Sequence, residues 1–265
     1  MDRIFQGKNR ALIGAHRGAS AYCPENTMSS FKKAMELQAD MLELDVQLTS
    51  DGHAVVFHDF SLERTTNGTG FLREHTLSDL KKLDAGAWFS EEFADEEIPA
   101  LEEVLAWAKG KIVLSIELKQ MEHLKEPLAK RVTDLIRSYQ MEDQIQLMSF
   151  NHASLAEARL HSKLILTNVI CSSRLADPVR YLKELQAQVL NVPINQLSPS
   201  LIEELHQADY YVHGSMSDDI HVWKTLQEWK IDAMDTNLPD VMIRKNDSSF
   251  IRGPLNGISQ FKRNY

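Results

Sequence analysis

The chain has 265 residues, 43% hydrophobic and 25% charged, which is soluble globular composition at a length suited to one α/β barrel or two smaller domains. Its formal net charge of −9 excludes a broad nucleic-acid face, which would be basic, and obliges an anionic substrate to find local cations. Cys23 and Cys171 match no zinc spacing and point to a reducing compartment. Residues 1–10 hold no signal-like apolar run, and no stretch approaches the roughly 20 apolar residues of a membrane span. The expectation is a cytoplasmic protein without stable membrane association.

The first element is Leu12-Ile13-Gly14-Ala15, an apolar run that stops at His16-Arg17-Gly18. A strand ending in His-Arg suits an α/β barrel, whose functional groups sit at the carboxyl ends of its strands. Pro24-Glu25-Asn26-Thr27 follows, with Asn26 or Thr27 able to cap a helix whose apolar face is Phe31, Ala34, Met35 and Leu37. Met41 to Thr49 then alternates strictly. Met41, Glu43, Asp45 and Gln47 share one face, and Leu42, Leu44, Val46 and Leu48 the other, so the carboxylates face the lumen and the leucines the helices. Asp51-Gly52 reads as a two-residue hairpin loop, and Ala54 to Asp59 as the antiparallel return. That register sets position 45 opposite 58 and brings His58 beside Asp45.

Residues 60 to about 100 read as an insertion over the mouth: a loop at Arg64 to Gly70, a short helix at 76–83, and an acidic irregular stretch from Ala85 to Pro99. Regular alternation then resumes. Ile112 to Lys119 is a strand ending in Glu117 and Lys119, followed by a helix from about Lys125 to Ser138. With the hairpin return set aside, strands start near 12, 41, 112, 145, 164, 189, 210 and 231, the eight that a TIM (β/α)8 barrel needs. The reading is one α/β domain over residues 1–265, a TIM barrel with an inserted cap at about 60–100. Gly253 to Tyr265 reads as a short tail.

The mouth of such a barrel collects His16, Arg17, Glu43, Asp45, His58, Glu117 and Lys119. Three converging carboxylates repel one another, and a divalent cation resolves the conflict; an all-oxygen set suits Mg²⁺ or Ca²⁺ rather than zinc. Two histidines beside it can serve as acid and base, and Arg17 and Lys119 add positive charge for an anion. The parts suit metal-assisted phosphoryl transfer.

The ordered set His16-Arg17-Gly18, Pro24-Glu25-Asn26-Thr27, Glu43-Leu44-Asp45-Val46, Thr49-Ser50-Asp51-Gly52, His58-Asp59, Arg64-Thr65-Thr66, Ile98-Pro99, Leu101-Glu102-Glu103-Val104 and Glu117-Leu118-Lys119 closely resembles the glycerophosphodiester phosphodiesterase family. The resemblance covers nearly the whole chain and is densest over residues 12–119. It implies a TIM barrel with a small insertion that cleaves glycerophosphodiesters to glycerol 3-phosphate and an alcohol with a divalent metal. It further implies Glu43, Asp45 and Glu117 as metal ligands, His16 and His58 as the acid–base pair, and Arg17 and Lys119 as phosphate contacts. The pattern weakens toward the C-terminus. His213 stands at a usual Trp, and Thr236-Asn237-Leu238-Pro239 where the family often has Thr-Asp-Xaa-Pro; these departures leave the metal chemistry intact and the alcohol pocket open. The rival functions are a phospholipase-type diesterase on lipids, for which no apolar or basic rim is visible, and a non-catalytic phosphate-ligand binder, which retention of both histidines and all three carboxylates opposes. The partner is a small-molecule glycerophosphodiester; homo-oligomerisation is left open. His53, His75, His123, His161, His206 and His221 read as solvated, His152 is undecided, and Trp88 and Phe89 read either as lining a lid or as a small core of the insertion, the core being favoured.

Overall fold

The short apolar runs of the sequence become strands buried along nearly their whole length. In chain order these are β1 (Leu12–Ala15), β2 (Met41–Leu48), β3 (Ala54–Val56), β4 (Val113–Leu118), β5 (Ile145–Ser149), β6 (Leu166–Ile170), β7 (Val189–Val192), β8 (Tyr211–Gly214) and β9 (Ala233–Thr236). The computed structural model describes residues 4–7, 10–120 and 127–244. The predicted tail at 253–265 and the first residues of the helix predicted from Lys125 lie outside that range.

The strands pair in the order β1-β9-β8-β7-β6-β5-β4-β2-β3, and β1 also pairs with β2, which closes the ring. Only β3 runs antiparallel, so the barrel proper has the eight parallel strands read from the sequence, with the extra strand after its second. The helices are α1 (Met28–Glu36), α2 (Leu77–Leu80), α3 (Leu101–Ala108), α4 (Leu128–Tyr139), α5 (His152–His161), α6 (Pro178–Leu185), α7 (Pro199–Gln207), α8 (Ile220–Glu228) and α9 (Pro239–Arg244); α2 belongs to the insertion after β3, and the others cover the outside. Local chemistry starts several of them. Thr27, Asn151, Asp177, Ser198 and Asp219 each accept a first-turn N–H with their side chains, and Pro178 and Pro199 open α6 and α7 where no N–H is needed. Between the two candidate caps of α1, Thr27 does the capping.

The alternation of β2 works as read. Leu42, Leu44, Val46 and Leu48 join Phe31, Leu101, Leu114 and Ile116 in the core between sheet and helices. Each such side chain contributes roughly 1.5–3 kcal/mol by leaving water. At the amino end of the barrel, Leu12, Met41, Leu166, Val189 and Ala233 form an apolar plug with Phe5. Midway up, the lumen turns polar. Gln146 Nε2 donates to Ser115 Oγ at 2.8 Å, and Asn168 Nδ2 lies 3.0 Å from His213 Nδ1. His213 Nε2 lies 3.1 Å from Asp235 Oδ2. Gly14 makes room for that carboxylate: a Cβ there would lie 2.0 Å from Asp235 Oδ1.

The hairpin register differs from expectation by one residue. Val46, Gln47 and Leu48 face Val56, Val55 and Ala54, so Asp45 lies opposite Phe57, whose N–H it accepts at 2.9 Å, and not opposite His58. The loop has three residues, Ser50-Asp51-Gly52, with Gly52 at φ +81°, the left-handed position that ends a three-residue hairpin loop. Beyond β3 the insertion builds its own core from Val55, Phe57, Leu62, Leu72, Leu80 and Ile98. Trp88 stands outside that cluster at 41% exposure, edge-on to Phe89, which meets Phe93 the same way. Both ends of the insertion meet on one strand: Val55 bridges to Ala100, and Val56 N–H donates to Pro99 O at 2.8 Å. Two other histidines prove structural. His152 bonds the Tyr181 hydroxyl and Ile170 O, and His206, read as solvated, pairs with Asp232 at 2.8 Å.

Candidate active site

The chain leaves β1 through two consecutive left-handed residues, Arg17 at φ +57° and Gly18 at φ +83°. Gly18 has no alternative, since a Cβ there would lie 1.9 Å from Ser30 Oγ. Arg17 bears a strain of order 1–2 kcal/mol. Its backbone offsets this: the N–H donates to Glu43 Oε2 at 2.9 Å, and the carbonyl accepts from Ser30 Oγ at 2.7 Å and Asn26 N at 3.0 Å. The turn aims His16 and Arg17 at the mouth instead of continuing the strand.

Glu43 and Asp45 rise from β2, and Asp45 pairs in register with Glu117 of β4. One carboxylate oxygen from each of the three lies within 4.8 Å of the others, and all three residues are buried. Burial first, then Asp45, Asp235 and Glu117, hold Glu43 well above the usual carboxylate range. Burial and Asp45 push Glu117 up to about 7, against the pull of Lys119 and Arg17. Lys119 Nζ sits 3.0 Å from Glu117 and 3.8 Å from Asp45, and Arg17 Nε 3.5 Å from Asp45. Both cations are held above their ordinary range: burial opposes their charge, but the surrounding carboxylates outweigh it. Asn26, itself left-handed at φ +58°, locks Asp45 by donating from Nδ2 at 2.9 Å and accepting its N–H at 3.3 Å. A crowded, buried, all-oxygen donor set of this kind fits a hard divalent cation.

His58 leaves β3 on a tight turn. Gln47 secures that turn, its Nε2 reaching Phe57 O, His58 O and Asp59 O at 2.9, 3.2 and 2.7 Å. So His58 reaches the mouth through a turn gathered by a β2 side chain, although the expected cross-strand pairing with Asp45 is absent. Its Nδ1 lies 2.6 Å from Asp59 Oδ1. Asp59 is held far below its ordinary range, chiefly by Arg64, so it is a carboxylate and the shared proton sits on His58. Arg64 also forks onto Glu25, which bonds Arg17 at 2.7 Å. Glu25 drops to about 2 because these two guanidinium groups outweigh its burial. A continuous ionic chain thus runs Arg17–Glu25–Arg64–Asp59–His58. Burial, helped by Arg17 and Lys119, lowers the pKa of His58 against the opposing pull of Asp45.

A cavity of about 280 Å³ opens here, lined by His16, Arg17, Glu43, His58, Glu117 and Lys119 with Phe150, Asn191, Ser215 and Met216 as outer wall. The seven residues singled out in the sequence therefore meet at one place except Asp45, which lies just beneath it, bonded to Asn26. A wider cavity of about 740 Å³ at the amino end of the barrel has no histidine in its lining and none of these carboxylates. Sequence reasoning did not assign Asn26, Gln47, Asp235 or Asn237 to the site. The signals available for them were the place of Asn26 in the Pro24-Glu25-Asn26-Thr27 motif, the lumen-facing position of Gln47 on the strand of Glu43 and Asp45, and a polar Asn237 just past the end of a barrel strand.

The model of the glycerophosphoryl diester phosphodiesterase family matches residues 16–241. A glycerophosphodiester phosphodiesterase of Caldanaerobacter subterraneus is 40% identical over 195 residues, 73% of this chain and 80% of the relative. One from Bacillus subtilis is 32% identical over 88% of this chain and 85% of its own length. Among solved structures, an Oleispira antarctica phosphodiesterase in complex with the product sn-glycerol-3-phosphate superposes with a TM-score of 0.86 at 29% identity, covering 90% of this chain and 98% of that one. A glycerophosphodiester phosphodiesterase of Agrobacterium tumefaciens reaches 0.78 at 27% identity, covering 88% and 98%. With the family model matched over residues 16–241 and relatives of this kind aligned over most of a closed barrel, the chain belongs to the glycerophosphoryl diester phosphodiesterase family of phosphoric diester hydrolases.

Proposed function

We propose that the chain hydrolyses glycerophosphodiesters to glycerol 3-phosphate and an alcohol, with His16 and His58 as the acid–base pair. The observation that carries this is the shared cavity, where two histidines with anchored Nδ1 atoms border the carboxylate group and the cations Arg17 and Lys119. Glu43, Asp45 and Glu117 are the residues to hold a Mg²⁺ or Ca²⁺ ion, which when bound supplies a Lewis acid for the phosphate. Arg17 and Lys119 stabilise charge that builds on the phosphoryl oxygens, a contribution of a few kcal/mol per donor.

In the first step His16 takes the proton of the glycerol hydroxyl next to the ester. That oxygen attacks phosphorus, the bond to the alcohol oxygen breaks, and His58, entering the step doubly protonated with its Nδ1–H held by Asp59, gives its Nε2 proton to the departing alcohol. Attack from within the substrate avoids the entropy of recruiting a nucleophile. In the second step the roles reverse, and water opens the cyclic glycerol phosphate to glycerol 3-phosphate. His16 is the first base in this reading because Arg17 beside it marks the phosphate end. The chain works as one unit in which residues 60–100 cap the mouth and help choose the alcohol. The test is a substrate analogue lacking the neighbouring hydroxyl. Cleavage at the parent rate would replace internal attack by direct attack of water. Full activity in chelator, with protein shown metal-free by elemental analysis, would remove the metal from the scheme.

A further inference from the structure

We propose that Asn237 is a positioning residue that fixes the tautomer of His16, with Asp218 fixing Asn237 in turn. The inference deepens the reading of His16 as half of the acid–base pair. It starts from an assignment that hydrogen-bond chemistry forces. Asn237 Nδ2 lies 2.8 Å from Asp218 Oδ2, and Asp218 Oδ1 accepts Asn237 N–H at 2.7 Å and the Thr236 hydroxyl at 2.8 Å. A carboxylate has only acceptors, so the amide atom facing it is the NH₂ group. The other end of the amide is therefore the oxygen, and it faces the Ser20 hydroxyl at 2.7 Å and His16 Nδ1 at 2.9 Å. An amide oxygen has no proton to give. The hydrogen between it and the ring belongs to Nδ1, and Nε2 across the ring keeps its lone pair.

A neutral imidazole free of such a partner divides its proton between two nitrogens. Here the base is delivered in one form, on a ring whose backbone is also tied: His16 N–H donates to Thr236 O at 2.9 Å, and Ser20 Oγ reaches His16 O at 2.8 Å. The two histidines are anchored differently, His58 by the carboxylate of Asp59 and His16 by an uncharged amide. Asn237 and Asp218 come from the turns after β9 and β8, so three barrel strands cooperate in holding one ring.

The experiment reads tautomer and turnover separately. Ring ¹⁵N NMR of His16 in the metal-loaded wild type should show the proton on Nδ1. Asn237→Leu, nearly isosteric but without acceptor, should mix the tautomers and lower kcat about tenfold or more while KM changes less than about twofold. Asn237→Asp alone sets two carboxylates face to face and should lose activity similarly. Combining it with Asp218→Asn restores the donor–acceptor pairing in reverse and should recover kcat to within about threefold. A wild-type proton on Nε2, an Asn237→Leu enzyme with unchanged kcat, or a swap that restores folding but not turnover would each overturn the assignment. An inactive wild type would defeat the proposed reaction, while the NMR tautomer would still decide the role of Asn237.

Discussion

Glu117→Gln should stabilise the metal-free protein at alkaline pH and destroy its response to metal. Glu117 is 9% exposed and its carboxyl is pushed from 4.5 to about 7, by burial and by Asp45. A raised acid pKa means that the folded state binds the proton more tightly than the unfolded chain. Stability from this group is therefore intact below pH 4.5 and falls as pH rises to about 7, where the folded carboxyl ionises. The difference of 2.5 units, 7 less 4.5, corresponds to about 3 kcal/mol at 1.36 kcal/mol per unit. Glutamine removes that cost at similar size, and Lys119 keeps Asp45 at 3.8 Å as a partner. In chelator, the variant and wild type should melt together near pH 4.5 and separate as pH rises. By pH 8 the gap should be roughly 6–12 °C at 2–4 °C per kcal/mol. Saturating Mg²⁺ or Ca²⁺ should close or reverse the gap, because only the wild type gains binding energy. Differential scanning calorimetry at pH 4.5, 6 and 8 gives all three comparisons. Equal melting at pH 8 in chelator, or a less stable variant, would refute the argument that these carboxylates strain the metal-free fold.

Either His16→Ala or His58→Ala should lower kcat by roughly a hundredfold or more on a glycerophosphodiester, measured in steady state with melting temperatures as the control. Gly14→Ala should destabilise the fold by about 1–3 kcal/mol in urea titrations, since the new Cβ would lie 2.0 Å from Asp235 Oδ1 in a packed lumen. Shortening the stretch Trp88 to Phe93 should change relative kcat/KM among glycerophosphodiesters more than metal affinity by calorimetric titration; equal effects on all substrates would count against a selective cap.

Much of this architecture could be read because its signals are local. The two-residue period of Met41 to Leu48 separates Glu43 and Asp45 from the leucines without reference to any other strand, and the structure buries both sets on the expected faces. Helix starts at Ser198 and Asp219 follow from single side chains and their nearest N–H groups. The hairpin register is not legible locally because Asp51-Gly52 fits a two-residue loop and also ends a three-residue one. Only the pairing of Leu48 with Ala54 decides between them. Asn237 and Gln47 were missed for another reason. Asn237 meets His16 across 221 positions of chain, and Gln47 looks like one more lumen residue until the carbonyls of the next turn are seen around it. His213 was noticed only as a departure. Its pairing with Asp235 depends on the space that Gly14 leaves on a third strand.

The two ends of the insertion share one rung of sheet, Val55 against Ala100 and Val56 against Pro99. Seen from the barrel, everything between those residues is a loop whose span is fixed at the width of a single strand pair. Lengthening such a loop twofold costs only about 0.6 kcal/mol of closure entropy. The barrel strands and their carboxylates need not shift to absorb it, because the attachment points stay where they are. The three carboxylates are thus set by strands that cannot be moved, and of the insertion only His58, Asp59 and Arg64 at its start are tied to them; the stretch beyond Arg64 hangs between fixed ends. Grafting a foreign segment between Arg64 and Pro99, so that His58, Asp59 and Arg64 stay in place, should leave the barrel's melting behaviour largely intact, whereas a graft that cuts inside β2 should not fold.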